Sequence, residues 1–143
     1  MGTVEQSVEV EVPVSVAYRQ WTHVETFPAF MSGVEEVART GEDMTHWVTS
    51  IDGVRREFDA RITEDVPDER VAWTTVGAPH HSGLVTFVPT SERSTRVLVQ
   101  MDLEPDGVVE GVADRLGLLA HRVGVDLDRF REYVEEREAP AGH

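Results

Sequence analysis

The longest amphipathic pattern in this chain runs from Gly107 to Arg137, and it limits the fold more than any other feature. Val109, Val112, Leu116, Leu119 or Ala120, Val123, Leu127, Phe130 and Val134 recur at steps of three and four, with Asp, Glu and Arg in most of the intervening positions. At about 1.5 Å per residue such a helix spans roughly 45 Å, enough to cross the whole sheet of a small domain. Gly111, Gly117 and Gly124 interrupt the stripe, each costing up to about 1 kcal/mol against alanine. Packing must therefore hold the helix together. Close approach of a sheet accounts for these glycines more simply than room for a ligand.

What precedes the stripe reads as β-structure. Thr3 to Val12 alternates, with Val4, Gln6, Val8, Val10 and Val12 on one face and Thr3, Glu5, Ser7, Glu9 and Glu11 on the other. Pro13 ends that strand, and Ser15 is a candidate N-cap for a short helix carrying Val16, Ala17, Tyr18 and Trp21. A second short helix is expected over Glu25 to Met31, broken by Pro28 and closed by Gly33. Six strands follow, near Gly33–Arg39, Met44–Ile51, Val54–Glu64, Arg70–Val76, Ser82–Pro89 and Thr95–Leu103, separated by short runs of turn-forming residues. Short links between successive strands imply an antiparallel meander.

Asp52-Gly53 sets one register. A two-residue Asp-Gly loop favours a type I′ turn, which places Thr49 opposite Arg56, Trp47 opposite Phe58 and Thr45 opposite Ala60 on an apolar face. The opposite face pairs Ser50 with Arg55, Val48 with Glu57 and His46 with Asp59, and is expected to meet solvent. Arg56 is out of place on the apolar face. It must be paired, reach water along its stem, or meet a ligand carbonyl, enolate or carboxylate with help from Thr49.

Composition narrows the chemistry. With 143 residues, of which 40% are hydrophobic, the chain is expected to form one domain over residues 1–138 and a flexible tail over 139–143. A formal charge of −14 argues against nucleic acid and anionic membrane surfaces as partners. No membrane span or signal segment is visible, which makes the cytoplasm the default location. Cysteine is absent, excluding disulfides and thiolate sites, and all 13 basic residues are arginine, excluding lysine Schiff-base chemistry. The six histidines (His23, His46, His80, His81, His121 and His143) show no metal-ligand spacing, so neither a metal nor a cofactor is expected. Gly-x-Ser-x-Gly and glycine-rich nucleotide loops are also missing.

The order of elements, together with particular residues, resembles the START-like, polyketide cyclase/dehydrase superfamily. The matching stretches are Val8-Glu9-Val10-Glu11-Val12-Pro13 with Val16-Ala17-Tyr18 and Trp21, then Phe27-Pro28 with Phe30-Met31 and Gly33-Val34. His46-Trp47 with Asp52-Gly53, Arg70-Val71-Ala72-Trp73, Ser82-Gly83 with Thr86-Phe87, Thr95-Arg96-Val97, and Asp126-Leu127 with Arg129-Phe130 complete the match. The resemblance covers nearly the whole chain. It implies an α+β helix-grip fold, in which a curved seven-stranded antiparallel sheet grips the last helix around a hydrophobic cavity. It does not imply one activity, since the superfamily includes lipid carriers, quinone-binding proteins, hormone receptors and aromatase/cyclases.

On this reading the first expectation is a binder of a hydrophobic small molecule such as a lipid, quinone or polyketide-like chain. Its ligand-facing set is Trp21, Phe30, Trp47, Thr49, Arg56, Phe58, Trp73, Phe87, Leu119 and Val123. For the aromatic members, core packing is the competing explanation. The alternative is an aromatase/cyclase that closes rings by intramolecular aldol reaction and dehydration, with Arg56 as electrophile and Tyr18 or a bound water moving protons. An interaction module using its outer faces is a third class, and the oligomeric state is open between a monomer and a homodimer.

Overall fold

The structure is a computed structural model that describes residues 2–51, 53–77, 81–103 and 112–138. Seven strands form one antiparallel sheet: β1 (Gly2–Val10), β2 (Val34–Arg39), β3 (Met44–Ile51), β4 (Val54–Val66), β5 (Arg70–Val76), β6 (His81–Ser91) and β7 (Ser94–Leu103). Their spatial order is β1-β7-β6-β5-β4-β3-β2, so the six later strands are a meander and β1 closes on the last of them. Register shifts in β2, β4 and β6 place extra residues on one strand of a pair, which bends a sheet and strengthens its twist. The long C-terminal helix, α2, covers Val112–Glu138, roughly 40 Å at helical rise. The expected start of this helix at Gly107 lies outside the described residues, as does the expected tail.

Between β1 and β2 run α1 (Val14–Thr22) and a 3₁₀ segment, Val24–Ala29. The N-cap of α1 is Pro13 rather than Ser15, and no side chain caps it. Pro13 cannot donate, but its carbonyl accepts from the amides of Val16 (3.0 Å) and Ala17 (3.1 Å), and the helix starts two residues earlier than a serine cap would allow. β1 likewise stops at Val10; Val12 stays buried in the turn, where its carbonyl accepts a bond of 2.9 Å from the buried Thr95 hydroxyl. The second helical stretch is 3₁₀ because Pro28 sits inside it and cannot supply an α-helical donor.

The stripe of α2 faces the sheet as its periodicity requires, with Leu127, Phe130 and Val134 buried and Val123 packed against the core. Phe130 is the centre of an aromatic knot, 5.2 Å from Trp21 and 5.3 Å from Phe30 between ring centroids, with Phe27 and Tyr133 packed around them at tilted or edge-on angles. Edge-to-face pairs of this kind contribute about 0.5–1.5 kcal/mol each beyond area burial. α2 approaches β1 more closely than any other strand, and Gly124 lies over Gln6. This end of the grip is shut. The outer face of the sheet differs from expectation at Val48, which is buried although it points away from the core cluster, between the cross-strand neighbours Glu36 and Glu57.

Candidate functional site

β3 and β4 carry the candidate site on their concave face. The observed register pairs Ile51 with Val54, Thr49 with Arg56, Trp47 with Phe58 and Thr45 with Ala60, and Gly53 has the positive φ (81°) that a tight Asp-Gly turn needs. Trp47 and Phe58 lie parallel, 5.9 Å apart and tilted by 9°. Trp47 is fixed from one side by Phe27, at 5.5 Å, and from below by a chain of hydrogen bonds: its indole N–H donates to Thr45 Oγ1 (2.8 Å), and that hydroxyl donates to the Ala60 carbonyl (2.9 Å). Thr45 is buried, so the chain satisfies a hydroxyl that would otherwise cost free energy there.

Phe58 is the exception in this neighbourhood. It is only half-buried, and it is not among the side chains packed on the buried core cluster, although it occupies the inner face of a central strand. Its ring contacts are Trp47 on one side and the His81 ring on the other, the latter edge-on at 5.3 Å. His81 is the first residue of β6, opposite Thr75 of β5. The Thr75 hydroxyl accepts from the His81 amide (3.0 Å) and donates to the His81 carbonyl (3.2 Å). The sequence expectation put His81 in a turn. Continuing the β6 alternation backwards from Phe87, Val85 and Gly83 would have placed it on this face.

Trp73 lies on the same face one strand over, opposite Ile62 and so four positions along β4 from Phe58. It is paired with Gly83, and its indole lies directly across that glycine: a Cβ built on Gly83 would fall 2.2 Å from Trp73 Cη2. Only a residue without a side chain accommodates the ring in this position.

Arg56 shares the face of Phe58, as the register requires, but it is exposed rather than buried. Three residues beyond the Gly53 turn, its stem reaches water at the open end of the hairpin, and no ion pair holds it among the described residues. Arg55, on the other face, is bound to Glu57 (3.2 Å) and Glu35 (3.8 Å). Thr49 lies beside Arg56 and is half-buried.

The structure divides the remaining expected residues. Trp21, Phe30 and Phe87 are buried in the closed end and belong to the core. Val123 is half-buried on α2, and the side chain of Leu119 lies outside the described residues. Tyr18 is not beside Arg56. Its hydroxyl donates to Asp65 and its ring meets Phe87 edge-on at 5.8 Å, whereas Asp65 is nine positions along β4 from Arg56, roughly 30 Å for an extended strand. Burial, and then the bond to Asp65, push the Tyr18 phenol up to about 12. Tyr18 and Arg56 therefore cannot share one proton transfer, and an aldol mechanism that pairs them is set aside.

On the outer face His46 is held between two carboxylates, with Nδ1 2.7 Å from Asp59 and Nε2 3.1 Å from Glu57. Bonds to Asp59 and then Glu57 raise its pKa above 6.5. Among the described residues no cluster of three or more histidines and carboxylates could hold a metal ion, and no helix is long and apolar enough to cross a membrane.

Comparison with known proteins agrees with this architecture. The family model for polyketide cyclase/dehydrase and lipid transport proteins matches residues 10–129. The chain belongs to this family. A relative in the family is an uncharacterised 17.2 kDa protein from the melC2-rnhH intergenic region of Streptomyces lincolnensis, 52% identical over 143 residues, 99% of this chain and 95% of the relative. Among solved structures, the Zhui aromatase/cyclase of Streptomyces sp. R1128 aligns over 99% of this chain and 98% of its own, with a TM-score of 0.83 at 17% identity. A START superfamily protein from Mycobacterium smegmatis aligns over 94% of this chain and 98% of its own, with a TM-score of 0.79 at 16% identity. At these identities the structural likenesses establish a common helix-grip fold.

Proposed function

We propose that this polyketide cyclase/dehydrase family member binds a hydrophobic, ring-bearing small molecule on the concave face, against Trp47, Phe58 and Trp73, beneath α2. The observation that carries this reading is Phe58: a large aromatic ring on the inner face of a central strand, flanked by Trp47 and His81 yet left half-exposed and off the core. Elsewhere on that face Val85, Phe87, Val97 and Val99 are buried. A half-exposed, rigidly supported aromatic pair offers stacking area to a planar ligand with little rotamer entropy left to lose. Arg56 and Thr49 at the open end would meet the ligand's polar end. The test is titration with 1-anilinonaphthalene-8-sulfonate, an aromatic probe bearing an anion. One-to-one binding is expected, weakened by about 0.5–1.5 kcal/mol in Phe58→Ala with the fold intact. Binding with the same affinity in both Phe58→Ala and Trp47→Leu would remove the concave face as the site.

The cyclase reading has one specific observation in its favour. His81 stands on the same face as Phe58, in line with Thr75, and supplies a proton-moving group where Tyr18 does not reach. In that reading His81 takes a proton from the carbon between two carbonyls, Arg56 stabilises the enolate oxygen, and the aromatic surface folds the chain so that the carbanion meets a distant carbonyl. His81→Ala should then abolish ring closure of a poly-β-keto thioester while leaving affinity for the aromatic probe in place. Absence of turnover by the unmodified protein would leave binding alone.

A further inference from the structure

Outside the grip, α1 and the last turn of α2 enclose an open groove of about 500 Å³ lined by Val16, Arg19, Gln20, His23, Val134 and Arg137. We infer that this groove is a second binding site, and that it takes a phosphate monoester attached to a small apolar group. Positions 16, 19 and 20 fall on one face of α1 by helical spacing, His23 caps the C-terminal end of that helix, and 134 and 137 are one turn apart on α2. Two helices that meet elsewhere through apolar contacts therefore direct their cationic side chains into one space.

Charge makes this arrangement selective. The protein carries 27 carboxylates against 13 arginines, and Arg55, Arg61 and Arg70 each lie within 4.0 Å of a carboxylate. The groove lining contains no Asp or Glu, and among the described residues neither Arg19 nor Arg137 forms an ion pair. Arg137 instead lies over the Tyr133 ring at 5.1 Å, which fixes the stem and leaves the guanidinium edge open. Of the carboxylates next to Arg137 on α2, Glu135 accepts the Glu11 amide at 2.7 Å, and Glu136 is not part of the groove lining.

Arg19 and Arg137 both sit in the last turns of their helices, where the dipole end is worth about half a negative charge apiece. Two full positive charges exceed that, so the lining residues themselves keep roughly one net positive charge, and His23 adds two ring nitrogens. The rest of the acidic surface repels an anion, but beyond a Debye length of about 8 Å that repulsion is screened. Planar guanidinium groups match tetrahedral oxyanions through paired N–H donors. Val16 and Val134, at the floor, favour an ester over free phosphate.

The test is an amide chemical-shift titration of the full-length protein with phenyl phosphate, and with inorganic phosphate in parallel. Saturable shifts confined to residues 16–23 and 134–137 are expected, with phenyl phosphate the tighter ligand. Arg19→Gln should weaken it about tenfold, the scale of one charge-assisted hydrogen bond. Arg137→Gln should do the same, and because it also removes the contact with Tyr133, the exposed Arg19 is the cleaner variant. Shifts centred on Trp47 and Phe58, shifts that never saturate, or affinity unchanged in both variants would each overturn the inference. Apart from shifts centred on Trp47 and Phe58, which would place the probe on the concave face, these outcomes leave that face untouched, and the anilinonaphthalene titration tests it separately.

Discussion

Gly83→Ala tests the packing that shapes the concave face. The added methyl would lie 2.2 Å from both Cη2 and Cζ2 of Trp73 and 2.7 Å from Cζ3, against the 3.5–4.0 Å or so at which carbon atoms attract. The backbone cannot give, because Gly83 is held between Trp73 on β5 and Met101 on β7 by the sheet ladder. The indole must swing off its site, and overpacking of this kind costs about 1–3 kcal/mol. Removing the ring first reverses the sign. In a Trp73→Ala background the same Gly83→Ala change meets open space and replaces a flexible strand residue, a gain of about 0.5–1 kcal/mol. The two backgrounds should therefore differ by at least about 1.5 kcal/mol, a large coupling for one pair. Urea denaturation followed by far-ultraviolet circular dichroism reads all four proteins without relying on Trp73 emission. Equal effects of Gly83→Ala in both backgrounds would refute the argument that the indole occupies the glycine's side-chain space.

Gly124→Ala should stabilise the protein by up to about 1 kcal/mol in thermal unfolding, because its methyl would meet Gln6 at an ordinary 3.6 Å while the helix gains propensity. Ultraviolet titration should find the Tyr18 phenol ionising near 12; Asp65→Asn should lower that midpoint only part of the way to 10.0, since burial is the larger cause. Because the folded pKa is the higher one, the stability linked to Tyr18 is complete below pH 10 and disappears as the pH rises through 12. For His46, an NMR titration should give a midpoint above 6.5, with the linked stability present below 6.5 and lost as the pH rises through that midpoint; a midpoint at or below 6.5 would contradict the bonds to Asp59 and Glu57.

Local chemistry made most of the fold legible. Asp52-Gly53 determines a hairpin register from two residues, and every pair from Ile51–Val54 to Thr45–Ala60 follows from it by alternation. The stripe on α2 is read in the same way, since 3.6-residue periodicity carries its own orientation. What alternation cannot show is distance along a curved sheet. Arg56 is legible as out of place and Tyr18 as a candidate proton carrier, yet only the topology shows that Tyr18 meets the far end of β4 and Arg56 lies at its beginning. Burial of Val48 escaped notice because side chains on neighbouring strands cover it from a face that the pattern assigns to water. His81 was missed because adjacent histidines between Pro79 and Gly83 look like a turn, and strand ends are where competing local signals are closest in energy.

The pairing of β1 with β7 has a consequence for how the protein is made. Gly2 bonds opposite Leu103, so β1, made before the other six strands of the sheet, has no neighbour in it until β7 has emerged. The hairpins from β2 to β7 can form as they appear, each closing a short loop, while β1 must close one of about a hundred residues at a larger entropic cost. During that interval Val4, Val8 and Val10 lie on an unpaired apolar edge, the kind of surface that captures neighbouring chains. Glu5 and Glu9 alternate with them, and their mutual repulsion between copies protects the waiting strand. Replacing those glutamates with threonine, which favours strands, would cost the finished sheet the exposed bond from Gln100 to Glu5 and increase the fraction of newly made chains lost to aggregation.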